Sequence, residues 1–151
     1  MKIVVDDLSG PKIAAFLDEH VQQMRAITPL ESKYALDLDA LRTPDITFWS
    51  VVDKDKVVGC GALKRLDPHH AEVKSMRTSP ARTRGGIASA LLDHIITEAR
   101  RMGVRRLSLE TGTADFFRPA RKLYEKHGFD YCKPFADYSP SQHNTFMTRA
   151  L

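Results

Sequence analysis

Residues 72–110 carry the pattern that most limits the fold of this chain. Residues 72–78 are rich in β-forming residues, 86–102 have apolar residues at helical spacing, and 105–110 form a second β-rich run. A strand, a helix and a strand in this order place the two strands parallel, with a right-handed crossover. Ligands of open α/β sheets bind at the carboxyl ends of such strands, so the turn after residue 78 is the first place to look for a site.

The rest of the chain adds mainly antiparallel strands to this unit. We predict further strands at residues 2–5, 46–52, 57–66, 129–133 and 145–149, and helices at 10–26, 33–41 and 116–127. The turn-like Asp53-Lys54-Asp55 joins two of the strands, so residues 46–78 are predicted to form an antiparallel meander. Gly103 and Gly128 are predicted to end the helices that precede them. One domain is expected over residues 1–151.

The turn at residues 79–88 has the properties of an anion site. Gly85 and Gly86 are adjacent and open directly into the helix, so main-chain amides can face a ligand with no side chain in the way. The first amides of a helix have no partner within it, and the helix dipole adds partial positive charge, so a phosphate is stabilised there. The helix has no acidic residue before Asp93, and Arg82 and Arg84 precede it. A strand-to-helix turn with solvated arginines is the alternative interpretation.

Charge and composition narrow the classes of partner. The net charge is +4, but residues 77–126 alone hold eleven basic and five acidic side chains, which favours an anionic partner for this part of the surface. The spacings of a nucleotide P-loop and of a dinucleotide-binding turn are both absent from the sequence. It also lacks a recognisable nucleic-acid module, and no apolar run reaches the length of about 18 residues that a membrane span needs. The N-terminus turns acidic too soon for a signal peptide, so we expect a cytoplasmic protein.

Two sequence blocks resemble the signatures of the GNAT superfamily of acetyl-CoA-dependent N-acetyltransferases. The family's loop, Q/R-x-x-G-x-G/A, aligns with TRGGIA at residues 83–88, with Thr83 in place of the leading Gln or Arg. Its downstream block, A-x-x-L-Y-x-x-x-G-F, stands at residues 120–129, and Phe117 replaces the Asn that often precedes it. The runs SMRTSP, LSLETG and FFRPARKLYEKHGFDYC are similar to those of small bacterial members with a single domain.

The resemblance implies a fold and a coenzyme site. The fold is of the α/β (α+β) class, with a mixed, mostly antiparallel sheet of six to seven strands, a parallel splayed pair in its middle and helices on both faces. Acetyl-CoA is the implied donor and CoA the product, and no metal is expected. The residues expected to bind the coenzyme are Met76, Arg77, Thr78, Arg82, Thr83, Arg84, Gly85, Gly86, Ile87, Ala88, Ser89, Phe117, Ala120 and Tyr124.

Three residues are candidates for proton transfer. Glu72 lies four residues before Met76, so strand alternation places both on one face, and it resembles the strand carboxylate that some family members use as a base, often through water. Glu110 is the alternative candidate for the base, and proton removal by a chain of water molecules alone is a third possibility. Tyr124 matches the tyrosine with which the family frequently protonates the coenzyme sulfur. A phenol with a pKa of about 10 keeps its proton at neutral pH.

The acceptor channel is expected, by resemblance, along residues 24–34 and 135–144. The candidates to line it are Glu31, Ser32, Tyr34, Trp49 and Tyr138. The predicted activity is transfer of an acetyl group from acetyl-CoA to a primary amine of a small molecule or amino-acid-like acceptor. A non-catalytic acyl-CoA-binding module and a protein lysine or N-terminal acetyltransferase are the alternatives. No nucleic acid and no membrane is expected as a partner, and a homodimer is left open.

Overall fold

A computed structural model describes residues 1–27, 38–82 and 85–151. These residues form seven strands: β1 (Lys2–Val5), β2 (Ile46–Asp53), β3 (Lys56–Asp67), β4 (His70–Thr78), β5 (Arg106–Gly112), β6 (Asp130–Cys132) and β7 (Asn144–Ala150). They also form three α-helices: α1 (Pro11–Ile27), α2 (Ile87–Arg101) and α3 (Arg118–Lys126). None of the helices in these ranges has the length and apolar character needed to cross a bilayer.

The strands form one sheet in the order β1-β2-β3-β4-β5-β7-β6. Only β4 and β5 pair in parallel, and all the other described neighbours are antiparallel. The predicted mixed sheet with a parallel pair in its middle is therefore confirmed. Lys54 and Asp55 both have positive φ in the tight turn between β2 and β3, as a two-residue hairpin requires.

Helices cover both faces of the sheet, as predicted. On one face, Phe16 and Leu17 of α1 pack with Cys60 and Ala62 of β3. On the other face, α2 buries the apolar stripe predicted from its spacing: Ile87, Leu91, Leu92, Ile95, Ile96 and Ala99. Gly103 follows α2 with φ +83°, and Gly128 follows α3 with φ +85°, so the predicted ends of both helices are confirmed.

The predicted helix at residues 33–41 is not supported where the structure can be compared with it. Residues 33–37 lie outside the described residues. Residues 38–41 form a turn, closed by a hydrogen bond from Leu41 N to Leu38 O of 3.1 Å. The nearby Pro44 is a signal for the end of a helix, but it also suits a turn, and the sequence pattern does not separate the two.

A bulge at Ser75 changes which side chains of β4 share a face. Ser75 has φ +56°, and the β3–β4 register shifts across it. Glu72 pairs with Lys64, which lies two residues from Ala62, so Glu72 and Ala62 are on the same face of the sheet, the one covered by α1. Met76 instead packs against the core beneath α2. The predicted shared face of Glu72 and Met76 is therefore wrong, because one extra residue inverts the alternation between them.

The parallel pair separates towards its carboxyl ends. The ladder between β4 and β5 consists of three residue pairs and ends where Glu72 meets Ser108. Beyond that point β4 continues to Thr78, paired only with β3, while β5 continues to Gly112, paired only with β7. The sheet is therefore open at its centre, on the side where parallel strands present ligands.

Candidate active site

A cavity of about 700 Å³ lies between the separated ends of β4 and β5. On one face of the sheet it is lined by α1, including Leu17 and His20, and on the other by α3, including Ala120 and Tyr124. The strands contribute residues 72–76 of β4, which include Glu72, and residues 110–112 of β5, which include Glu110. The cavity is thus in contact with elements from both layers of helices.

The start of α2 presents main-chain amides beside the end of β4. Ile87 lies against Gly59 of β3, which pairs with Thr78, while the described residues 85–89 are not among those that line the cavity. The first hydrogen bond within the helix runs from Ala90 N to Gly86 O (3.0 Å), so the amides of residues 87, 88 and 89 come before the first amide that donates within the helix. Gly86 has φ +79°, and a Cβ placed on it would meet no heavy atom within 4 Å. The amide of Gly85 donates within the loop, to Arg82 O at 3.3 Å. The open amides therefore begin after Gly85.

The free edge of β4 supplies a second set of main-chain groups. Residues 76–78 face β5 across the opening, beyond the last pair of the parallel ladder. The side chain of Arg77 does not line the cavity. It is buried on the α1 face, where Nη1 donates to Oε1 of Gln23 at 2.6 Å. Any contact of Arg77 with a coenzyme in the opening is therefore limited to its main chain.

Glu72 is a buried carboxyl group at the cavity wall. Only 3% of the residue is exposed, and Tyr138 donates its hydroxyl hydrogen to Oε2 of Glu72 at 2.5 Å. Lys74 Nζ lies 3.9 Å from Oε1 of the same carboxylate. Glu110 is exposed by contrast, and Nδ2 of Asn144 donates to its Oε2 at 2.9 Å. The two candidate bases therefore differ sharply in burial.

Tyr138 stands between these two carboxylates. Burial, its hydrogen bond to Glu72 and the negative charges of Glu72 and Glu110 raise the pKa of Tyr138 well above its ordinary value. Tyr138 therefore stays protonated and acts as a donor to Glu72 throughout the neutral pH range. This hydrogen bond fixes the orientation of the Glu72 carboxylate.

Tyr124 is placed on the opposite side of the sheet. It is buried in the core formed with α2, its ring lies edge-on to Phe129 with centroids 5.8 Å apart, and it contributes to the cavity wall. Burial raises the pKa of Tyr124 well above its ordinary value. The phenol therefore keeps its proton more firmly than a solvated tyrosine does.

The sequence signature of the Acetyltransferase (GNAT) family matches residues 13–129. The chain belongs to this family. It is accordingly an acyltransferase, and the family's donor is acetyl-CoA.

Relatives of similar length support the assignment. The chain is 52% identical over all 151 residues to the uncharacterized N-acetyltransferase YsnE of Bacillus subtilis, with 100% of both chains covered. It is 46% identical over 149 residues to the uncharacterized N-acetyltransferase YedL of Escherichia coli, covering 99% of this chain and 94% of that one. An IAA acetyltransferase of Azospirillum brasilense is 36% identical over 140 residues, covering 92% and 90%.

Solved structures show the same fold at low identity. A GNAT acetyltransferase from Staphylococcus aureus aligns with a TM-score of 0.75 at 22% identity, covering 99% of both chains. An aminoglycoside 6'-N-acetyltransferase complexed with coenzyme A aligns with a TM-score of 0.72 at 16% identity, covering 99% of this chain and 97% of that one. The central opening between β4 and β5 is therefore part of a fold that occurs in GNAT proteins.

The loop residues predicted from the GNAT motif differ in what their side chains do. Ile87 is buried in the core, so only its main chain faces the loop, and Ser89 Oγ lies 3.3 Å from Nε2 of His127. The guanidinium of Arg82 pairs with Asp53 at the end of β2. Thr83 and Arg84 lie outside the described residues.

Phe117, which stands where the GNAT motif often has Asn, lines the cavity with Ala120. Its ring lies edge-on to Phe116, with centroids 5.1 Å apart, and rests against Gly112 so closely that a Cβ there would collide with it. Gly112 is therefore needed for this close approach. Phe117 offers an apolar surface where an amide side chain would offer hydrogen bonds.

The predicted acceptor residues fall into three groups. Tyr138 lines the cavity, as described above. Trp49 does not: it is 2% exposed and packs edge-on to His94 of α2, with centroids 5.7 Å apart, so its predicted place in the acceptor channel is wrong. The alternation of β2 directs Trp49 to the α2 face and into the core. Glu31, Ser32 and Tyr34 lie outside the described residues.

Sequence reasoning missed most of the contribution of α1 to the cavity. It places Met24 at the border of the predicted acceptor channel, but Leu17 and Val21 only within a predicted helix, and it does not single out His20 and Lys74. All five line the cavity. The helical spacing of the apolar residues is the same for a covered sheet and for a cavity wall, so the pattern holds no signal that would separate the two.

Proposed function

We propose that this GNAT protein transfers the acetyl group of acetyl-CoA to a primary amine of a small-molecule or amino-acid-like acceptor, with residues 1–151 acting as one acetyltransferase domain. The observation that carries the proposal is the central cavity. It lies between the separated ends of β4 and β5, where it is bordered by the free edge of β4 and by the buried carboxyl group of Glu72. A candidate donor site and a candidate proton acceptor thus border the same cavity.

The described residues fit a coenzyme with a diphosphate and a pantetheine arm. The open amides of residues 87–89 and the positive φ of Gly86 suit a diphosphate at the start of α2. The unpaired edge of β4 at residues 76–78 suits an amide-rich arm, and Phe117 and Ala120 offer apolar contacts beside it. When bound, acetyl-CoA supplies a thioester whose acetyl group is the group transferred.

Glu72 is proposed as the general base. It is buried, it lines the cavity, and the hydroxyl of Tyr138 holds one of its oxygens. A carboxylate in this position can accept the proton that an ammonium group must lose before its nitrogen becomes a nucleophile, directly or through water. Glu110 remains the second candidate, but its exposure places its carboxylate in a more solvated position.

Tyr124 is proposed as the general acid that supplies a proton to the leaving thiolate. Tyr124→Phe is expected to lower kcat about 10- to 100-fold and to leave the Kd for coenzyme A within about threefold. Because the pKa of Tyr124 is raised, the phenol stays protonated up to at least about pH 9, so the loss should be the same from about pH 6 to 9. Steady-state rates and calorimetric binding check this, and full turnover of the variant at every pH contradicts the assignment.

The proposed activity is tested by mixing the protein with acetyl-CoA and a panel of amines and measuring the release of free thiol. Primary amines should release thiol in proportion to acetylated product, identified by mass spectrometry. Since one relative is named an IAA acetyltransferase, IAA belongs in the panel as well. Tight coenzyme binding without thiol release with any amine would favour a non-catalytic acyl-CoA-binding module. Transfer to lysine-containing or N-terminal peptides alone would favour a protein acetyltransferase.

A further inference from the structure

Arg77 is a buried cation next to the cavity that the proposed reaction does not use. Its side chain is 4% exposed, and its guanidinium carbon lies 5.1 Å from the centre of the Phe16 ring. Within the described ranges, Nη2 has no hydrogen-bond partner and lies 4.0 Å from a carboxylate oxygen of Glu19. Nη1 lies 3.0 Å from Nδ1 of His20, in addition to its bond with Gln23. A guanidinium has donors and no acceptor, so Nδ1 of His20 must accept this hydrogen bond.

The contact with Arg77 fixes the state of His20. With Nδ1 accepting, the proton of a neutral imidazole is on Nε2. Burial and the charge of Arg77 lower the pKa of His20 to about 4, so the ring is neutral at physiological pH. His20 lines the cavity. His20 is therefore uncharged, its remaining ring donor is Nε2–H, and it is not available as a base.

The charged groups of the cavity are of both signs. Among the described lining residues, Glu72 and Glu110 are the acidic ones and Lys74 is the only basic one besides histidines. The carboxylates suit an ammonium group, while Lys74 and the N–H of His20 suit a carboxylate. A polyamine would place further positive charges beside Lys74, which is unfavourable.

Apart from His20, the residues that α1 contributes to the cavity are apolar. Leu17, Val21, Met24 and Ile27 recur at intervals of three and four residues along α1, and Leu41 adds to the same lining. Such a wall gains free energy when it covers an apolar group of a ligand. The cavity thus combines two carboxylates, the hydrogen-bond donors Lys74 and His20, and an apolar wall.

From this combination we infer that the acceptor is an α-amino acid with an apolar side chain, its amine facing Glu72 and Glu110 and its carboxylate bound by Lys74 and His20. The inference rests on the proposed function and specifies its substrate class. Acetyl transfer to such an acceptor forms the amide N–C bond and breaks the thioester C–S bond. The amine proton goes to the base and the thiolate is protonated, so the products are an N-acetyl amino acid and coenzyme A.

The substrate class is tested with matched acceptors in the thiol-release assay. L-phenylalanine and L-leucine are compared with 2-phenylethylamine and isopentylamine, which lack only the carboxylate, and with L-aspartate and spermidine. We expect kcat/KM to be at least about 10-fold higher for the two apolar amino acids than for any of the other four, since a lost charged hydrogen bond costs that much. Equal or higher values for a decarboxylated amine, aspartate or spermidine overturn the inference but leave the acetyltransferase proposal standing. No release with any amine refutes the proposed function itself.

Variants locate the carboxylate contacts. Lys74→Gln and His20→Leu should each raise KM for L-phenylalanine about 10-fold or more, while KM for 2-phenylethylamine changes less than about threefold. His20→Gln keeps an N–H donor and should restore part of the affinity. Lys2→Gln, on the edge strand β1, is the matched control for loss of a lysine and should behave as wild type. Equal changes in KM for both acceptors would mean that these residues do not bind the carboxylate.

An NMR measurement on the wild-type protein tests the role of His20 without relying on variants that fold poorly. The ¹⁵N shifts of the His20 ring should report a neutral imidazole with its proton on Nε2 at about pH 7. Addition of L-phenylalanine should shift that Nε2 signal, and addition of 2-phenylethylamine should not. A proton on Nδ1, or identical shifts with both ligands, overturns the assignment of His20.

Discussion

Replacement of Gly86 by valine is expected to weaken the binding of coenzyme A about 100-fold or more. Gly86 has φ +79°, a conformation that costs a residue with a Cβ about 1–2 kcal/mol and a β-branched residue more. The variant can relieve this strain only by rotating the backbone, which turns away the amides of residues 87–89. Each hydrogen bond to a charged group contributes about 1.5–3 kcal/mol, so the loss of one or two accounts for the expected effect. Isothermal titration calorimetry measures it.

Gly103→Val is a matched control for this variant. Gly103 follows the other end of α2 and has φ +83°, and a Cβ placed on it would likewise meet no heavy atom within 4 Å. The variant should therefore suffer a comparable loss of thermal stability while its affinity for coenzyme A stays within about threefold of wild type. If both variants lose affinity equally, the effect of Gly86→Val comes from general destabilisation, and the assignment of the loop as the diphosphate site is wrong.

Glu72→Gln is expected to lower kcat about 100- to 10,000-fold, the range typical for loss of a general base. Glutamine keeps an oxygen that can accept the Tyr138 hydrogen bond, so the shape of the cavity should be retained. Coenzyme A affinity should stay within about threefold, because Glu72 lies on the face of the sheet opposite Tyr124 and α3. Pre-steady-state measurements of thiol release separate the chemical step from product release.

Glu110→Gln is the companion variant that separates the two candidate bases. Its carboxylate is exposed and bound by Asn144, so we expect kcat to fall less than about 10-fold. A larger loss for Glu110→Gln than for Glu72→Gln would make Glu110 the base. Losses below about 10-fold in both variants would mean that water molecules alone carry the proton, and both carboxylate assignments would fail.

Local patterns are sufficient to predict most of the architecture. The stripe of α2 indicates a helix that covers a sheet. A single helix that runs back over the sheet returns the chain to the end where β4 begins, so β4 and β5 are parallel. Gly103 and Gly128 mark helix ends because a residue with positive φ is needed there. The loop before α2 is recognisable because two adjacent glycines open directly into the helix and Arg82 precedes them.

The interior of the site is less predictable, because it depends on contacts between distant segments. The bulge at Ser75 involves neither Gly nor Pro, so nothing in the local sequence signals that Glu72 and Met76 face opposite ways. The pairing of Arg77 with His20 joins residues 57 positions apart in the chain. Tryptophan is a residue type that often contacts ligands, and only the assembled sheet shows that Trp49 belongs to the core.

The short ladder between β4 and β5 determines how two ligands enter the enzyme. Because only three residue pairs join these strands, the space beyond them connects the two sides of the sheet. Two molecules can then arrive by separate routes, one alongside α3 and the other alongside α1, and meet in the middle. Neither molecule has to leave before the other enters, so the reaction needs no covalent acetyl-enzyme intermediate. We therefore expect sequential kinetics and not a ping-pong scheme.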